Sequence, residues 1–66
     1  MQIFLNGESH EIKEEMPLEK LIPLLGLAPQ GIAVSCDEKI VPKSKWSLFI
    51  VKDGMKLDIY NMVAGG

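Results

Sequence analysis

The sequence predicts an α+β fold, with one helix packed on one face of a mixed sheet. Three observations carry this. Asn6-Gly7 stands between two short strand-like runs, and both central residues of a tight hairpin turn need positive φ. Leu18, Leu21, Ile22 and Leu25 recur at i, i+3, i+4 and i+7, which gives a helix one apolar stripe. Short apolar-alternating segments then continue to the end of the chain, as strands of a half-buried sheet do.

In order, residues 1–6 read as a strand containing Gln2, Ile3, Phe4 and Leu5. Residues 8–13 form its antiparallel return, with His10 and Ile12 on one face. Residues 17–25 form the helix. Pro17 stands at its entrance, where a missing N–H costs least, and Gly26 is placed to stop it. Pro23 removes one donor and crowds the preceding turn, so the helix is expected to be kinked or shortened. Ala28-Pro29-Gln30-Gly31 is a loop, and residues 32–36 are a strand in which Ile32, Val34 and Cys36 alternate against Ala33 and Ser35. Asp37-Glu38 turns tightly into residues 39–41, which Pro42 ends because it cannot donate to a ladder. Residues 43–49 can hold a helical turn with Ser44 as its N-cap. Asp53-Gly54 is a second turn signal, and residues 56–62 are the last strand, Leu57 and Ile59 opposite Asp58 and Tyr60. The last strand can pair beside the first, with a hairpin unit on either side. That arrangement is the β-grasp, or ubiquitin-like, roll, occupying residues 1–61 and leaving 62–66 as a flexible tail.

Composition bounds the function. The chain has 66 residues, enough for one domain, and 47% of them are hydrophobic, too many for a disordered segment. Its formal charge is −2, which argues against binding a nucleic-acid backbone. Five Glu against Lys13 and Lys20 make residues 1–33 acidic, a surface that either steers a basic partner or is simply solvated. One cysteine, Cys36, excludes an internal disulfide framework. No apolar run is long enough to span a bilayer and no signal peptide is visible, so a cytoplasmic location without membrane attachment is expected. No nucleophile–base pair, phosphate loop or metal constellation is apparent, and so small a body leaves little room for a substrate pocket. The chain is therefore expected not to be an enzyme.

Three segments together resemble the ThiS family: the terminal Val63-Ala64-Gly65-Gly66, the stretch Ile40-Val41-Pro42-Lys43-Ser44-Lys45-Trp46, and the turn Val51-Lys52-Asp53-Gly54. The resemblance covers essentially the whole chain in length and element order. It departs at Cys36, where the family often has Asn, at Met55, where Asp is common, and at Pro23. The resemblance implies a sulfur carrier of thiamine biosynthesis. A ubiquitin-activating-enzyme-like adenylyltransferase would use ATP to adenylate Gly66, a sulfur-transfer enzyme would supply sulfur drawn from cysteine, and the thiocarboxylate would serve thiazole synthase. It implies no bound cofactor and no metal.

That chemistry suits these residues. Glycine has no Cβ, so Gly65-Gly66 forms a thin thread able to enter a narrow pocket. Five residues beyond Asn61, at about 3.3 Å each, reach roughly 16 Å, with Met62 and Val63 as anchors at the base. If Ile3 and Leu5 face the helix, Phe4 faces away, and Tyr60 does so by the same alternation. With Met62 they are candidates for a docking patch; a register slip of one residue would instead turn both aromatics inward. His10 and Cys36 read as structural residues, lacking partners for a metal or an activated thiol. Trp46 covers one end of the core or serves a contact. Alternatives are the small subunit of molybdopterin synthase, which shares the terminal Gly-Gly, a ubiquitin-like modifier joined through Gly66, and a plain interaction domain.

Overall fold

A computed structural model describes residues 1–61. It opens with β1 (Gln2–Leu5) and β2 (Glu8–Glu11), an antiparallel pair in which Ile3 lies opposite His10. Their two-residue turn places Asn6 at φ 50 and Gly7 at φ 85, the left-handed pair that matches strand twist. β3 (Met16–Pro17) leads directly into α1 (Leu18–Leu24). β4 (Ile32–Cys36) and β5 (Lys39–Val41) form a second antiparallel pair. A 3-10 turn over Lys43–Lys45, β6 (Ile50–Val51) and β7 (Lys56–Asn61) complete the order.

The main sheet runs β2-β1-β7-β4-β5. β7 is central: it is parallel to β1, with Leu5 beside Leu57, and antiparallel to β4, from Cys36–Leu57 to Ile32–Asn61. Two hairpins thus flank the last strand, as the sequence predicts. The helix covers one face, and Leu18, Leu21 and Ile22 are buried against Ile3, Leu5, Ile32, Val34 and Leu57. Each fully buried aliphatic side chain of this kind is worth about 1.5–3 kcal/mol.

The helix ends as its sequence dictates. Gly26 adopts φ 78, its N–H bonds to the Pro23 carbonyl, and the Leu27 N–H bonds to the Ile22 carbonyl, closing a Schellman motif. Pro23 lies inside the seven-residue helix, one residue from its end; the helix runs through it and stops at the Gly26 motif. At the other end no side chain caps it; instead the Leu18 and Glu19 amides donate to the carbonyls of Phe49 and Trp46.

Three details correct the sequence reading. Residues 43–49 hold only a three-residue 3-10 turn, whose N-cap is Pro42 and not Ser44. The organiser of that segment is Trp46, buried, with Nε1 donating to the Val41 carbonyl at 3.0 Å and the Lys43 ammonium 5.6 Å from its ring centroid. The two-residue ladder between β3 and β6 was not expected; it joins Met16 to Val51 across the far end of the core. Finally, His10 is exposed while Ile12 is buried, so only one of the pair enters the core. No helix among the described residues is long and apolar enough to cross a membrane.

Candidate functional site

The site begins where β7 delivers the chain. From Leu57 to Asn61 this strand is paired with β4, and the final pair is Ile32 with Asn61. Residues Met62, Val63, Ala64, Gly65 and Gly66, and with them the expected flexible tail, its anchors and its reactive carboxylate, lie outside the described residues.

Two long-range side-chain hydrogen bonds hold β1 and β7 together. The Asn6 carboxamide oxygen accepts the Ile59 N–H at 2.8 Å. At the other end of the parallel pair, Asp53 Oδ1 accepts the Gln2 N–H at 2.7 Å, while the Gly54 N–H donates to the Gln2 carbonyl. The short β1–β7 ladder is thus closed at both ends by side chains of turn residues. Sequence reasoning read Asn6 and Asp53 for their turns alone. Their acceptors serve partners 53 and 51 residues away, a separation no local pattern reveals.

The face of the sheet opposite the helix is open. Phe4 and Tyr60 both lie on it, since their neighbours Ile3, Leu5 and Leu57 are buried in the core. They do not touch as a pair. Phe4 stands beside Lys56, four residues before Tyr60, which at about 3.3 Å per residue separates them by roughly 13 Å. Phe4 is half-buried, whereas Tyr60 is 49% exposed. The nearer companion of Tyr60 is one the sequence reading passed over: Ile40, 60% exposed, opposite Ser35 on the same face. Between them Ser35 is buried, its hydroxyl 3.5 Å from the Tyr60 oxygen. The signal for Ile40 was its alternation with Val41, whose side chain is in the core.

The remaining candidates stay apart from this face. Cys36 is half-buried beside Asp37, and burial, then the Asp37 charge, raise its thiol above the ordinary value. His10 lines a shallow groove with Leu27, Ile59 and Asn61. No group of three or more potential metal ligands occurs among the described residues.

Comparison with known proteins extends this picture. The chain is 29% identical over 66 residues to the sulfur carrier protein ThiS of Escherichia coli, and covers 100% of both proteins. It is 36% identical to a thiazole synthase of Paramagnetospirillum magneticum and 29% identical to one of Magnetococcus marinus, spanning only 20% of the length of each. The crystal structure of the thiamine biosynthesis protein ThiS of Geobacter metallireducens superposes over 100% of both chains with a TM-score of 0.86, at 20% identity, which bears on the β-grasp fold alone. The sequence matches the ThiS family over residues 3–66, from β1 through the terminal Gly-Gly. The chain therefore belongs to the ThiS family, the sulfur carrier proteins of thiamine biosynthesis.

Proposed function

We propose that the Gly66 carboxylate is the group that carries sulfur, and that an ATP-dependent adenylyltransferase activates it. A carboxylate is a poor acyl donor. Its oxygen attacks the α-phosphorus of ATP, pyrophosphate leaves, and the acyl-adenylate so formed has AMP as a good leaving group. The outer sulfur of a persulfide on a transfer enzyme then attacks the carbonyl carbon and AMP departs; a thiol cleaves the resulting acyl disulfide, forming a disulfide with the transfer enzyme and releasing the thiocarboxylate. All acid–base work belongs to the partners, so this chain needs no cofactor of its own. The dependence on ATP supports a cytoplasmic setting.

The observation that carries this reading is the family match, which runs through Gly66 on a body whose last described strand ends at Asn61. Thiazole synthase is the proposed acceptor. Two relatives bearing that name contain a stretch like this whole chain as one fifth of their length, which supports a carrier and synthase that work side by side. Tyr60, Ile40 and Phe4, with Met62, are proposed to meet the adenylyltransferase.

Intact-mass analysis of the protein with ATP and a candidate adenylyltransferase tests the proposal. Expected are first the adenylate, then a species with one oxygen exchanged for sulfur. Gly66→Val should abolish both while leaving the fold unchanged, because a Cβ and two methyl groups widen the thread. Normal thiocarboxylate formation by the variant would reject the assignment, and an isopeptide ladder in cell extract would favour a modifier instead.

A further inference from the structure

We infer that Asn6 is a positioning residue for the carrier reaction: its carboxamide holds the end of β7 in register and so fixes where the tail leaves the body. The inference rests on the carrier reading above.

The geometry is specific. The carbonyls of Met55, just before β7, and of Leu57 within it accept from Phe4 and Asn6, so these odd-numbered residues direct their backbone groups toward β1. Ile59 is next in that series. β1 ends at Leu5, whose partner is Leu57, so no β1 carbonyl lies opposite the Ile59 N–H. The Asn6 side chain substitutes for one, at 2.8 Å. Ile59 is two residues before Asn61, where the described chain ends. Beyond Leu57, then, β7 has β4 on one side and the Asn6 carboxamide on the other.

Asn6 meets two demands at once. Its φ of 50 suits the hairpin turn, which glycine or aspartate would also tolerate. Its oxygen serves β7, which aspartate can do and glycine cannot. The two roles are therefore separable by substitution. Without the acceptor the last residues of β7 fray, and the partner must order them on binding. A net intramolecular hydrogen bond corresponds to a factor of about 2 to 12 in an equilibrium, which sets the expected size.

The test compares Asn6→Gly and Asn6→Asp with the parent chain. Amide hydrogen exchange by NMR should show Ile59 and its β7 neighbours opening about 2- to 12-fold more readily in Asn6→Gly, with the Val41 amide unchanged. The KM of the adenylyltransferase for this carrier should rise by a similar factor while kcat holds. Asn6→Asp should restore both. Unchanged exchange at Ile59 in Asn6→Gly, equal change at Val41, or no rescue by Asn6→Asp would overturn the inference. If the parent chain is not adenylated at all, the carrier reading is what fails, and hydrogen exchange with its rescue still decides the role of Asn6.

Discussion

Cys36 shows how a reactive group is kept quiet. Its sulfur lies 4.0 Å from Asp37 Oδ2, and partial burial together with that negative charge favours the protonated thiol. A free cysteine already holds only a few per cent thiolate at pH 7, and Cys36 holds less. Its alkylation by iodoacetamide should be slow at neutral pH and accelerate with a midpoint above that of a free thiol. A midpoint at or below the ordinary value would mark an activated thiolate and a sulfur-handling role. The same scale shows the limit of the sequence. That Cys36 lies on the core-facing side of β4 was legible, because it alternates with Ile32 and Val34. The long-range acceptors on Asn6 and Asp53 were not, since a carboxamide or carboxylate in a turn looks the same whether or not a distant strand comes to meet it.

Among the elements, α1 carries a conflict between residue and structure. Pro23 sits within it and cannot donate to the Glu19 carbonyl. Pro23→Ala would restore that donor, offset by a more flexible unfolded chain. A gain of about 1 kcal/mol is expected, raising the thermal midpoint by about 4–8 °C in a domain of this size. Circular dichroism melting checks it, and a lowered midpoint would mean that the proline ring is needed for packing. Elements defined by local period were legible: the Asn6-Gly7 hairpin, the apolar stripe of the helix and the Gly26 stop. β3 and β6 were not, because each is two residues long and exists only through the other, 33 or more residues away along the Met16–Val51 and Pro17–Ile50 pairs. Ser44 failed as a cap because Trp46, through its burial and its bond to Val41, sets the local geometry first.

On the scale of the whole molecule, the open sheet face carries the proposed contact with the activating enzyme. Alternation placed Phe4 and Tyr60 on that face. It could not rank them, because exposure depends on which strands stand beside each. Phe4 sinks between its neighbours, whereas Tyr60 and Ile40 protrude on either side of buried Ser35. Tyr60→Ala with Ile40→Ala should weaken binding to the adenylyltransferase by about tenfold or more, as truncation of contact hot spots does, with little change in the denaturant midpoint. Calorimetric titration beside urea unfolding separates the two. Unaltered binding would move the contact elsewhere, and a collapsed midpoint would make the pair structural.

The central position of β7 bears on the order of synthesis. The strand between both hairpins comes after them in sequence, so on a ribosome the two halves of the sheet wait, unjoined, until β7 has emerged. Closure depends on contacts between the beginning and the end of the chain, which are entropically slow to form. A product truncated before Asn61 lacks part of the strand that joins those halves. The topology thereby ties closure to synthesis: a body that has closed is one whose synthesis has already passed through β7.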